Sequence, residues 1–450
     1  MRRFYEALFE EHLEEASFFF EQRMYLIHDI ELSWRDHEEY EVRFQRHYEG
    51  LLYGGEPALK ACLEKGIDGD FGEFHTALRV FLQRDRYDLL CQVLDERPYL
   101  DEPEHRHAVW TAIVLTRNLD HAARFIGDVA ERWPDLVPAA IQTIGWLRLE
   151  DQQPFLEDLQ YGDVDYTEQL LEAWVRLAMP ASLSTLEDIA FRGDQDGLRH
   201  WAALGLARLG SRRLLQFCLQ DVSIGGWSLL PVSVCGNQTL SARLLEQYGL
   251  EGVKHGDALL ALGLLGEAGA VPFLIQCLKD EIYGREAAEA LNLITGADLF
   301  EETFVQEQVD EDELFEEEIE AWRNGEPARK ADGSLAGEYV VTLTQTAATW
   351  ETWWRDNVGR FHTDVWFRRG EPGHPRNCVA ALMMETHANR LRWWLGQELF
   401  VRFNIDMRLE LEMPINIQIG AAQHIARWIE EHGDQFLPGR WYFKGTVLGG

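Results

Sequence analysis

DALLALGLLGEAGAVPFLIQCLKD, residues 257–280, decides the fold. An Ala/Leu-rich helix stops at Gly266, and a second opens at Ala270-Val271-Pro272. Proline is tolerated in a first helical turn because its missing N–H would have no intrahelical partner there. Leu274, Leu278 and the small Cys277 give the second helix an apolar face. A related unit, WAALGLARLGSRRLLQFCLQD at 201–221, puts Gly210 in the place of Gly266. Further turns fall at Gly236, Pro180, Asp151 and Asn118. The steps between positions 118, 151, 180, 210, 236 and 266 are 33, 29, 30, 26 and 30 residues. A period near 30 with two short helices per period predicts an α-solenoid, in which no hairpin can bury its own face and neighbours must stack. The recurrent Ala and Gly of the first helices fit that close approach.

The flanks read differently. Residues 4–27 form a helix too apolar for a thin stripe, with Phe18-Phe19-Phe20 in its second half, and so it needs covering on several sides. A second helix at 38–52 ends at Gly54-Gly55, and a third runs to Gly66. The glycines at 66, 69 and 72 have neither a preceding strand nor a Lys-Ser/Thr pair and read as a turn, not a phosphate cradle. The expected organisation is an N-terminal helical cap at 1–72, a repeat solenoid at 73–300, an acidic linker at 301–337 and a Trp-rich C-terminal domain at 338–450. The linker assignment rests on 11 acidic residues among 301–320, followed by Asn324-Gly325 and Asp332-Gly333. The last part is expected to be helical with minor β structure: helices at 349–361 and 378–399, then strict apolar/polar alternation from Phe403 to Met413, a strand pattern that Ile415, Ile417 and Ile419 prolong.

Composition limits the chemistry. Forty-two Lys and Arg against 77 Asp and Glu give a net charge of −35, a field that repels nucleic acid and anionic membrane and favours a basic protein partner. Cys62, Cys91, Cys218, Cys235, Cys277 and Cys378 show no knuckle spacing and read as free thiols. Glutamates interrupt the first residues where a signal peptide needs an apolar run, and no window is apolar enough to span a bilayer, so a cytoplasmic location is expected. His105 and His107 lie two apart beside Pro103, with His121 beyond, a pattern of a solvated loop more than of a metal site. The sequence carries no H-E-x-x-H, G-x-S-x-G or Walker motif, and neither enzyme activity, cofactor, metal nor small-molecule ligand is expected. Candidate partner contacts are the aromatic residues Trp350, Trp353, Trp354, Trp393 and Trp394, because Trp is enriched at binding hot spots, and the acidic Glu316, Glu317 and Glu318.

The stretch at 257–296 resembles HEAT-like repeats, including the short variety found in phycobilisome lyases. Glu10–Ala16 with Phe18–Arg23, Arg368-Arg369-Gly370-Glu371-Pro372, and residues 390–399 are similar to elements of a bacterial HEAT-like family whose genes often accompany type VI secretion accessory genes. That resemblance implies a non-catalytic adaptor or chaperone for a secretion effector or spike component. An immunity protein that occludes a toxin is the alternative. A lyase-like activity on a tetrapyrrole is a remote one, resting on fold analogy alone.

Overall fold

A computed structural model describes the chain except for residues 1, 30–31, 160, 163–165, 221–224, 281, 307–322, 324–328, 330–332 and 449–450. Three helices open it: α1 (Arg2–Leu26), α2 (Glu38–Tyr53) and α3 (Gly55–Asp68). Phe9, Leu13, Phe19 and Phe20 of α1 are buried. The fifteen α-helices described between residues 71 and 295 then alternate in two layers. One layer holds α4 (Phe71–Gln83), α6 (Pro103–Thr116), α8 (Val137–Leu147), α10 (Thr167–Leu177), α12 (Asp196–Arg208), α14 (Leu229–Ser233), α16 (Gly256–Leu265) and α18 (Gly284–Thr295), each packed on the next. The other holds α5 (Tyr87–Glu96), α7 (Leu119–Arg132), α9 (Gln153–Glu157), α11 (Leu183–Arg192), α13 (Arg212–Gln220), α15 (Gln238–Glu251) and α17 (Val271–Cys277). The protein is therefore an α-solenoid of helical hairpins, and all six landmark positions fall in the turn between the two helices of a pair.

Two glycines show why the pattern is so clear at its C-terminal end. Gly263 lies where a Cβ would come within 2.8 Å of the Ala290 Cα, so α16 and α18 can touch only with small residues. Gly266 has φ +77°, and a Cβ there would sit 2.4 Å from the Phe367 carbonyl oxygen. Upstream, the same left-handed turn is made by Arg117, Arg148 and Ala178, with φ between 49° and 56°.

The expected 301–337 linker begins and ends in structure. Strand β1 (Phe300–Gln306) pairs antiparallel with β2 (Gly337–Leu343), Phe300 opposite Leu343 and Gln306 opposite Gly337. Helix α19 (Ala347–Asn357) follows and packs on α17; then come β3 (Phe367–Arg368) paired with β4 (Glu371–Pro372), α20 (Pro375–Leu382), α21 (Asn389–Phe403), α22 (Ile415–His432), and β5 (Tyr442–Phe443) paired with β6 (Thr446–Val447).

The strand expected at 403–413 does not form. Asn404 and Arg408 have φ of 60° and 51°, which breaks an extended ladder, and Ile415 already starts a helix. The alternation is nevertheless a burial pattern: Ile405, Met407 and Leu409 are buried, while Asn404, Asp406 and Arg408 are exposed. Residues 404–414 form a strap laid against the solenoid instead of a sheet strand.

What holds the C-terminal part to the solenoid is helix capping. Helix C-termini carry unpaired carbonyls and a partial negative charge, which guanidinium groups satisfy well. Arg368 donates to the Gly263 and Leu264 carbonyls at the end of α16 (2.8 and 2.7 Å). Arg402 donates to Ser233 and Gly236 beyond α14 (3.0 and 3.1 Å). Both guanidiniums also bond Glu398, at 2.7 and 3.0 Å, and all three side chains are wholly buried. The tight turn between β3 and β4, Arg369-Gly370, points its two N–H groups at Leu293 and Ile294 at the end of α18 (2.7 and 2.9 Å). Lys444 and Gly445, between β5 and β6, do the same for Val401 and Arg402 of α21. At the far end Asn389 donates to the Ile27 carbonyl and Arg23 to those of Glu412 and Met413. The C-terminal part thus touches the array from its first helix to its last.

Candidate binding pocket

Where this cover is incomplete it leaves a pocket of about 300 Å³. One turn from each of four successive helices lines it: His107 and Trp110 of α6, Gln142 and Trp146 of α8, Glu172 and Arg176 of α10, and Trp201 of α12. These pairs stand three or four residues apart, so each pair shares a helix face. His28 closes one side, and Trp393 of α21 with Glu410, Leu411 and Glu412 of the strap closes the other. Trp201 and Trp393 meet edge to face, their ring centroids 5.8 Å apart.

The charges are unevenly matched. Glu410 is clamped between Arg148 and Arg176, the latter at 3.2 Å. Burial pushes the Glu410 carboxyl up, but the two guanidiniums outweigh it and hold it below the ordinary range. Arg176 also bonds Glu172 at 2.7 Å and lies over the Trp201 ring, 5.6 Å from its centroid. Arg208, the next guanidinium along, is occupied by the Val175 and Arg176 carbonyls and by Gln397. Glu412 accepts from the Trp146 indole at 3.3 Å and forms no ion pair among the described residues. The lining itself carries three carboxylates, Glu172, Glu410 and Glu412, against the single guanidinium of Arg176, with Arg148 and Arg208 behind it. His107 is kept neutral, its pKa lowered to about 4, first by burial and then by His28. Its Nε2 and the Nε1 of Trp110, a residue only 4% exposed, are buried atoms without a hydrogen-bond partner among the described residues.

Of the partner contacts expected from sequence, Trp393 lines this pocket and Trp394 is buried behind it, 5.1 Å from Trp393 centroid to centroid. Trp350 is buried and donates to the Thr344 carbonyl at 2.7 Å, which places it in the core. Trp353 and Trp354 are half-buried and pack on Phe361, away from the pocket. Glu316, Glu317 and Glu318 lie outside the described residues. The histidines of the 101–121 stretch do not converge: His105 meets Tyr99 and Arg97, His121 meets Asp85, and only His107 reaches the pocket. Among the described residues no group of His, Cys, Asp and Glu could hold a metal ion, and no helix is long and apolar enough to cross a membrane. Five of the six cysteines are buried thiols, with burial pushing Cys62 and Cys235 up to about 12. No family model, curated protein or solved structure matches the chain.

Sequence reasoning missed Trp110, Trp146, Trp201 and Glu412. The legible signal was a tryptophan on the first helix of a pair, at 110, 146 and again at 201.

Proposed function

We propose that the chain is a non-catalytic scaffold that holds a positively charged protein partner, with the tryptophan pocket as part of the contact. The observation that carries this reading is the make-up of the pocket: four indoles from four different helices meet at one opening in a chain of net charge −35. Indole rings give large, rigid contact area at low entropy cost, which is why they dominate binding hot spots. The carboxylates there are engaged with guanidiniums or an indole N–H, an arrangement that recognises charge and does not shuttle protons. The resemblance to a secretion-associated family makes an effector or spike component our proposed partner class, and the chain its adaptor or chaperone.

The test is isolation of the complex from native cells, identification of the bound protein by mass spectrometry, and measurement of its affinity for the wild-type chain and the Trp201→Ala/Trp393→Ala double variant. Affinity for the identified partner is expected to fall at least tenfold, since each hot-spot truncation costs roughly 2 kcal/mol or more. A partner that binds both proteins equally would remove the pocket from the contact, and the recovery of no stoichiometric partner would remove the scaffold reading.

A further inference from the structure

The pocket also specifies what part of a partner it takes. This rests on the scaffold reading, and we infer that the guest is a single arginine or lysine side chain presented by an extended peptide. Two features point there. The Trp201 and Trp393 rings line the same opening as Glu412, a carboxylate in no ion pair among the described residues, and an aromatic wall beside a carboxylate attracts organic cations through the indole π-system and through charge. The resident Arg176, over Trp201, shows that the aromatic wall accommodates a guanidinium.

Size agrees with this. A volume of about 300 Å³ is at the bottom of the range for small-molecule pockets and suits one long side chain, not a folded element. Glu412 is the residue that sets the sign. Its carboxylate is not committed to Arg148 or Arg176, which share Glu410 and Glu172. A ligand cation would therefore pair with Glu412 without breaking an existing ion pair. An acidic guest would meet three carboxylates instead.

The experiment uses the full chain and four capped tripeptides, acetyl-Gly-X-Gly-amide with X as Arg, Lys, norleucine or Glu, titrated by intrinsic tryptophan fluorescence and by calorimetry. The Arg and Lys peptides are expected to bind saturably, at least tenfold tighter than norleucine, with no binding of the Glu peptide. Glu412→Gln should weaken Arg binding about tenfold, the loss of one charged hydrogen bond, and leave the norleucine peptide unaffected. A melting curve of the variant checks that it remains folded. Equal binding of Arg and norleucine, or an Arg affinity unchanged by Glu412→Gln in the folded variant, would overturn the inference. If a protein partner recovered from cells still bound in a Trp201-dependent way, the scaffold reading would stand without it; if none were recovered, both would fall.

Discussion

Arg402→Met probes the junction between the C-terminal part and the solenoid most directly. In the wild-type chain the Arg402 guanidinium makes a 3.0 Å bond to Glu398, a 3.0 Å bond to the Ser233 carbonyl and a 3.1 Å bond to the Gly236 carbonyl. Arg368 shares the same Glu398 oxygen and caps α16. The cluster therefore holds two positive charges and one negative, and the spare positive charge is balanced by the carbonyl ends of α14 and α16. Methionine keeps the aliphatic stem but removes every polar contact. Arg368 still pairs with Glu398 in the variant, so the loss there is one charged hydrogen bond, about 1.5–3 kcal/mol, and not an abandoned charge. The Gly236 carbonyl loses its guanidinium donor, which adds roughly 1 kcal/mol, while the Ser233 carbonyl keeps the Gly236 N–H, so a loss of about 2.5–4 kcal/mol is expected. Urea titration at 25 °C, followed by far-UV circular dichroism and by tryptophan fluorescence, reads the change; Trp366 and Trp441 flank the guanidinium at 4.9 and 5.2 Å and report locally. Glu398→Gln should also destabilise, and the double variant should cost less than the two singles together, because the residues act as one network. A loss below about 1 kcal/mol for Arg402→Met, the range of an exposed pair, would refute the capping argument.

Other outcomes follow from individual sites. Leu274 is fully buried on α17, and Leu274→Ala should cost about 2–5 kcal/mol in the same titration; an unchanged midpoint would contradict the hairpin packing. Gly266→Ala places a methyl against the Phe367 carbonyl at a left-handed residue and should lower the melting temperature, by at least the roughly 1–2 kcal/mol of left-handed strain. His387 is buried and its pKa is lowered to about 3, chiefly by burial and then by Arg369 and Arg392. The unfolded chain takes up a proton at this histidine near pH 6.5 whereas the folded chain resists it down to about 3. Its contribution to stability is thus fully present above pH 6.5 and declines as pH falls through that window, at about 1.4 kcal/mol per pH unit. The stability of His387→Phe relative to wild type should therefore rise by that slope between pH 6 and 4.5, and a pH-independent difference would count against a neutral buried imidazole.

The repeat was readable where its turns use residues that announce themselves. Gly210, Gly236 and Gly266 mark three of them, Pro180 a fourth, and the small residues on the first helices gave the stacking. It faded upstream because Arg117, Arg148 and Ala178 adopt the left-handed turn without being glycine. The alternation at 403–413 gave the faces correctly as far as Leu409 but not at Glu410, which is buried between two guanidiniums, and it gave the hydrogen bonding wrongly, since a period of two reports which side is buried and not which chain lies alongside. The pocket was hidden for a different reason. Its walls are brought together from residues 28, 107–110, 142–146, 172–176, 201, 393 and 410–412, and only the return of the C-terminal part across the array makes them neighbours. Trp350 misled because its indole N–H finds the Thr344 carbonyl, a buried partner no spacing rule reveals.

Ordinary helical arrays are held by contacts between adjacent units alone, so they bend like springs and unravel from their tips. Here a tie runs from Arg23 near one extremity to Gly370 at the other, and its ends are anchored by main-chain carbonyls at both. Such bracing joins the fate of distant units, so melting should proceed in one step, and stretching the molecule would require the tie to detach first.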